Sequence, residues 1–208
     1  LDVNGNASIT PLDIDNGSND ACGIDSLSLS QYDYDCSMRG INPITLYALD
    51  VNGNIDSCLA TVNVIDSIAP VAMCQDTTIY VDNNGQFTID VSFLENGSTD
   101  ACGIDTTYLD QYDFDCSMIG MINTVTYFVA DSSGNIGTCT SIITVLDTIS
   151  PIVIADTIDV YLDVNGLASI IGSDLDNGSS DNCQINSYVV SQDQFDCSDV
   201  GQVSDTLF

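Results

Sequence analysis

The chain of 208 residues holds 31 carboxylates against a single basic residue, Arg39, for a formal charge of −30, with no His, Lys or Trp. Phosphate recognition needs Lys and Arg, so nucleic acid is excluded as a partner, and an anionic membrane surface is excluded on the same grounds. No apolar run approaches the roughly 18 residues of a helical span, so no membrane insertion by a helix is expected.

Strongly acidic chains are often disordered, but those are poor in β-branched and aromatic residues, whereas this one is 44% hydrophobic. It is expected to fold. All but one of the carboxylates are Asp, the exception being Glu95. Asp is preferred where a short carboxylate sits in a turn, bonds its own backbone or binds a hard cation.

In chain order, LDVNGNASI (1–9) and DIDNGSNDACGID (13–25) lead to QYDYDCSMRG (31–40), ALDVNGNIDSC (48–58) and VIDSIAP (64–70). The same series returns as VDNNGQFTI (81–89), FLENGSTDACGID (93–105), QYDFDCSMIG (111–120), VADSSGNIGTC (129–139) and VLDTISP (145–151). It begins a third time with LDVNGLASI (162–170), DLDNGSSDNCQIN (174–186) and SQDQFDCSDVG (191–201). The register is 80 residues and becomes 81 after an insertion near Met121, a period that means tandem domains rather than a thin solenoid.

Within a repeat the reading is all-β. TTIYV (77–81), QFTIDVSFL (86–94), NTVTYFVA (123–130) and TSIITVL (140–146) are short, β-rich runs separated by Asp/Asn-Gly turns, without helical periodicity. One small β-sandwich of about 80 residues per repeat follows. The expected domains are 1–66, without its opening strand, a complete 67–147, and 148–208, without its closing strands, so the chain reads as a window on a longer protein.

The nine cysteines lack CxxC spacing and have no His nearby, which favours disulfides in an oxidising compartment over zinc. The four of the middle repeat allow three pairings. The favoured one joins Cys74 to Cys139 and Cys102 to Cys116, because the short pair recurs as Cys22 with Cys36 and Cys183 with Cys197. Cys58 is left over, which predicts about one free thiol. Ala155 stands at the Cys74 position of the third repeat.

Carboxylates crowd the same loops. The first repeat offers Asp13, Asp15, Asp20, Asp33 and Asp35, the second Glu95, Asp100, Asp113 and Asp115, and the third Asp174, Asp176, Asp181 and Asp196. Held close, they repel unless a cation or protons neutralise them, so Ca²⁺ is the expected cofactor. DVNGNID (50–56) places Asp50, Asn52 and Asn54 like the opening of an EF-hand loop, with Asp131 at the matching position of the second repeat, but no closing Glu follows. The alternative for that loop is a type I′ hairpin turn. The junction aspartates Asp66 and Asp147 complete the metal candidates as parts of an inter-domain site.

A Pro-initiated repeat with a first-strand Cys, then DxNG, DNGSxDxCGI, FDC-x-x-x-G, D-x-x-GN-x-x-x-C and TVxD, resembles the hyalin-repeat (HYR-like) domains of giant secreted and cell-surface proteins of Bacteroidota. The resemblance implies an immunoglobulin-like β-sandwich, export to the cell surface, an adhesive or structural role, and a first-strand to last-strand bridge, here Cys74 with Cys139. It also implies O-glycosylation at Asp-Ser/Thr-aliphatic or Asp-Thr-Thr triplets, which places candidates at Ser26, Ser67, Thr77, Thr106, Thr148, Thr157 and Thr206.

Catalysis has little to work with, since nucleophile and base pairs usually need His, Lys or a reactive Cys. The functional expectation is a non-catalytic stalk, adhesin or filament segment whose partners are other copies of the repeat, glycans or a surface ligand. The alternatives are a spacer carried by a secreted enzyme, or a carbohydrate- or ice-binding module. The last would use Tyr32 and Tyr112 as a platform, a series that Asp193 breaks.

Overall fold

A computed structural model describes residues 1–208. The first repeat supplies β1 (Asn6–Ser8), α1 (Pro11–Ile14), β2 (Ile24–Leu29), β3 (Asp33–Asp35), β4 (Gly40–Asp50) and β5 (Ile55–Val64). The second supplies β6 (Thr77–Tyr80), β7 (Gln86–Thr88), β8 (Ile104–Leu109), β9 (Asp113–Asp115), β10 (Asn123–Asp131) and β11 (Ile136–Leu146). The third supplies β12 (Leu167–Ser169), α2 (Gly172–Leu175) and β13 (Gln194–Asp196). The fold is all-β, and its two α-helices are single turns.

Two compact units divide the chain. The first gathers Leu1–Asp76, Asp90–Gln111 and Thr124–Ile142, and the second Thr77–Ile89, Tyr112–Asn123 and Ile143–Phe208. In the first, β2, β4 and β5 form an antiparallel sheet and β1 pairs with β3. Alternation along β4 turns Ile44 and Leu46 inward, where they meet Leu29, Ile9, Ile14 and Val62. In the same unit β8 pairs with β10, and a bulge between Ala130 and Asp131 breaks the alternation. Three successive residues, Val129, Ala130 and Asp131, are therefore buried.

In the second unit β6 runs parallel to the end of β11, in register from Thr77↔Ile143 to Tyr80↔Leu146, and β7 pairs with β9. Ile79, Val81, Ile89, Phe114, Ile143 and Val145 are buried there. The third repeat adds the β12–β13 pair and a core of Ile170, Leu175 and Leu207, packed by Ile158, Tyr188, Val190 and Phe195. β11 has β10 and β6 as its neighbours in the sheet order.

The disulfides correct the sequence expectation. Cys74 pairs with Cys139 at a Cα separation of 6.1 Å, the first-to-last-strand bridge that the resemblance implies. The short pairs do not form. Cys36 is bonded to Cys102 (Cα–Cα 5.1 Å) and Cys116 to Cys183 (5.3 Å), so both bridges join one repeat to the next. Cys22, Cys58 and Cys197 are free and exposed.

Strand pairing explains the difference. β2 pairs with β4 while β3 pairs with β1, so the chain between Cys22 and Cys36 does not fold back as a hairpin that would bring the two cysteines together. A bridge needs Cα atoms within about 7 Å. Cys36 instead opens a one-turn 3₁₀ helix, Cys36–Met38, capped by Asp35, with its sulfur 3.6 Å from the carbonyl oxygen of Gly5. The turn must carry glycine there: Gly5 has φ +76°, and a Cβ would lie 2.5 Å from Cys36 Sγ. Gly85 holds Cys116 in the same way, at φ +71° and 2.5 Å.

Unfolding the oxidised chain without reductant is expected to expose three titratable thiols, against one for bridges closed within each repeat. Peptide mapping should recover Cys36 linked to Cys102 and Cys116 linked to Cys183. Recovery of Cys22 linked to Cys36 would contradict this connectivity.

Candidate metal centre at a repeat junction

Three carboxylates far apart in sequence converge within the first compact unit. Asp66 follows β5 and its Oδ1 accepts the Ile68 N–H at 3.2 Å. Asp100 accepts the Cys102 N–H at 2.8 Å, beside the Cys36–Cys102 bridge. Asp131 ends β10, where Oδ1 accepts the Ser133 and Asn135 N–H groups at 2.8 and 2.9 Å and Oδ2 accepts Asn135 Nδ2 at 2.8 Å. One oxygen from each lies within 4.8 Å of the other two. Asp66 is 7% and Asp131 4% exposed.

The surroundings share the load of so much negative charge. Ser133 Oγ donates to Asp66 Oδ2 at 3.3 Å, and Asn135 Nδ2 reaches the carbonyls of Asp66 and Ile68 at 3.2 and 3.3 Å. Arg39, the one basic residue, places Nη1 3.9 Å from Asp66 Oδ2 and 3.1 Å from Ser133 Oγ. One cation against three carboxylates leaves a local excess of two negative charges. Burial pushes the Asp131 carboxyl up, but its donors, Asn135 above all, outweigh burial and hold it below the ordinary value.

This donor set consists of hard oxygens, with two backbone carbonyls close by, and suits a hard divalent cation of the calcium type rather than zinc. Each carboxylate has about four acceptor sites, so the hydrogen bonds just described leave capacity for a metal. Asp66, Asp100 and Asp131 are the residues that would hold it. At the next junction Asp147 accepts the Ile149 N–H at 2.9 Å and Asn182 Nδ2 at 3.2 Å, and Ile119 stands at the Arg39 position.

The other metal candidates are not brought into this group and are held mainly as turn and cap acceptors. Asp13 takes the Thr10 N–H and hydroxyl, Asp15 the Ser18 N–H, and Asp20 the Cys22 and Gly23 N–H groups. Asp35, Asp115 and Asp196 cap the 3₁₀ turns that begin with cysteine. Asp174 caps α2 through the Ile171 N–H, and Asp176 and Asp181 close the loop of the third repeat. Asp113 accepts Thr88 Oγ1 at 2.6 Å, and Asp33 is exposed on β3. Glu95 accepts Gly97 N, Ser98 N and the Tyr127 hydroxyl.

The 50–56 loop is likewise a turn. Asp50 Oδ1 accepts the Asn52 and Asn54 N–H groups and Oδ2 accepts Asn54 Nδ2. Only Gly53 has positive φ, +88°, so the loop is not the type I′ turn expected, which needs two such residues. Of the O-glycosylation candidates, Ser26, Ser67, Thr106, Thr148, Thr157 and Thr206 are exposed and Thr77 is half-buried. The Tyr32 hydroxyl accepts the Leu29 N–H at 3.0 Å, a structural use at odds with a free ligand platform.

Asp131→Ala strands two turn N–H groups and is expected to cost about 1–3 kcal/mol. The native Asp131 carboxyl lies below the unfolded value near 3.9, so its stabilisation is complete above about pH 4 and drains as pH falls through the native value. Asp50, Asp82 and Asp163, lowered mainly by Asn54, Gln86 and Leu167 respectively, act in the same direction. Melting temperature should therefore decline below about pH 4. The variant, already less stable, should decline less steeply than the parent, and parallel curves would contradict the assignment.

The HYR domain family model matches residues 65–145. No curated protein matches the chain. Among solved structures, the extracellular cadherin domains 1–4 of protocadherin gamma B7 align at 13% identity and TM-score 0.33, over 81% of this chain and 54% of theirs. The protocadherin gammaB7 EC3-6 cis-dimer structure aligns at 17% identity and TM-score 0.32, over 80% and 55%. The chain thus spans about half the length of either. The Cys74–Cys139 bridge and the full set of middle-repeat motifs fall within the matched segment or at its edges, so the likeness to the HYR domain rests on residues 65–145.

Proposed function

We propose that the chain is a non-catalytic structural or adhesive segment of a long extracellular repeat protein, a stalk, adhesin or filament. Its HYR-like sandwiches at 1–66, 67–147 and 148–208 are tied to one another by disulfides and stiffened at their junctions by Ca²⁺. The observation that carries this reading is the pairing of a bridge with an acidic cluster at one junction, Cys36–Cys102 beside Asp66, Asp100 and Asp131.

The chemistry of the junction supports a mechanical role. Asp66 comes from the end of one repeat, while Asp100 and Asp131 come from a loop and a strand end of the next, so a cation shared among them would resist separation of the two. Arg39 supplies part of that neutralisation from within the chain. Disulfides on this scale also suit an oxidising, extracellular setting. The partners that fit are further copies of the same repeat; glycans or a surface ligand would be reached through loops and exposed side chains.

Calcium is expected to raise the melting temperature relative to EGTA. A site with Kd 100-fold below the calcium concentration adds about 2.7 kcal/mol, or roughly 5–10 °C for a chain of this size. Asp66→Asn should abolish the increment, and Arg39→Ala should enlarge it by removing the competing cation. Equal melting temperatures in calcium and EGTA for both the parent and Arg39→Ala would refute the calcium part of the proposal.

A further inference from the structure

We infer that Cys197 and Cys22 are complementary halves of a further inter-repeat bridge of the Cys36–Cys102 kind. Each is addressed to a cysteine in the matching motif on another copy of the repeat: Cys197 to a D-x-C loop, Cys22 to an FDC turn. This goes beyond the proposed function and stands independently of its calcium component.

The argument rests on two bonded examples in the same molecule. Both formed bridges join the cysteine of a Tyr/Phe-Asp-Cys turn in one repeat to the D-x-C cysteine of the following one, at sequence separations of 66 and 67. Cys197 is an FDC cysteine in the same pose. Asp196 Oδ1 accepts Ser198 N and Oγ at 2.7 and 2.6 Å, as Asp35 does for Ser37 at 2.8 and 2.6 Å. A Cβ on Gly166 (φ +77°) would lie 2.7 Å from Cys197 Sγ, against 2.5 Å at both bonded positions.

Cys22 matches from the other side. Its N–H donates to Asp20 Oδ1 at 2.8 Å, as Cys102 does to Asp100 at 2.8 Å and Cys183 to Asp181 at 2.9 Å. Both thiols are free and exposed. Cys58 differs, because its counterpart Cys139 is bonded within a repeat, to Cys74. The two half-sites are therefore presented in the geometry the bonded ones use, and a second copy of this chain offers each its cognate motif.

The chemistry is thiol–disulfide exchange. The Cys197 thiolate attacks a low-molecular-weight disulfide and expels one thiolate. The Cys22 thiolate of a second copy then attacks the mixed disulfide and expels the other. One S–S bond is reduced to two thiols for each protein bridge formed.

The test uses the chain carrying Cys58→Ser, concentrated to about 1 mM in a glutathione redox buffer, then alkylated and peptide-mapped. Random coupling gives the Cys22–Cys197 linkage in only twofold excess over either homotypic one. Matched half-sites should give tenfold or more, with head-to-tail ladders on non-reducing gels. Cys22→Ser and Cys197→Ser, each in that background, should then remain monomeric. A statistical mixture, a single-cysteine variant that dimerises as fast as its parent, or monomers capped with glutathione on both thiols would each overturn the inference.

Discussion

The interlocking of the three disulfides is the constraint on which the rest depends. Cys74 lies inside the span closed by Cys36 and Cys102, and Cys116 lies inside the span closed by Cys74 and Cys139, so each bridge overlaps its successor. Loops of this size are worth about 4 kcal/mol apiece in the chain-entropy model. The topology matters as much as the energy. A covalent path runs from Leu1 to Cys36, across to Cys102, along to Cys116, across to Cys183 and on to Phe208, bypassing most of the chain. Force applied to the ends is borne by this path.

The turns serve that arrangement. A DxNG turn with glycine at positive φ makes room for the cysteine sulfur at Gly5, Gly85 and Gly166. A capping aspartate one residue ahead of Cys36, Cys116 and Cys197 holds each one-turn helix. Repeated use of a short carboxylate to accept N–H groups two to four residues on accounts for a composition in which nearly every acid is Asp. Much of the formal charge is thus turn chemistry, and the junction cluster is a place where carboxylates meet rather than merely cap.

Much of this was legible in the sequence. The all-β reading and the Cys74–Cys139 bridge come from β-rich runs, Asp/Asn-Gly turns and family resemblance. The inter-repeat bridges were not legible for a specific reason: in a periodic chain, pairing Cys22 with Cys36 recurs as regularly as pairing Cys36 with Cys102. Periodicity alone cannot separate a local bridge from one to the next repeat; the pairing of β2 and β3 into different sheets separates them. The junction group was legible residue by residue, since Asp66, Asp100 and Asp131 were all candidates, but not as a group. It draws on the end of a strand, a loop and a bulged hairpin that only the fold brings together. Arg39 carried an unused signal. As the one cation of the chain its position had to matter, and it lies beside Asp66.

Force–extension of single molecules held at the two ends tests the bridge topology most directly. With bridges between repeats, roughly 75 residues bear load, and the unfolded oxidised chain should reach on the order of 250 Å at about 3.4 Å per residue. Reduction should lengthen it to about 700 Å. An oxidised contour length near 390 Å, the value for bridges closed within each repeat at the same rise, would contradict the account.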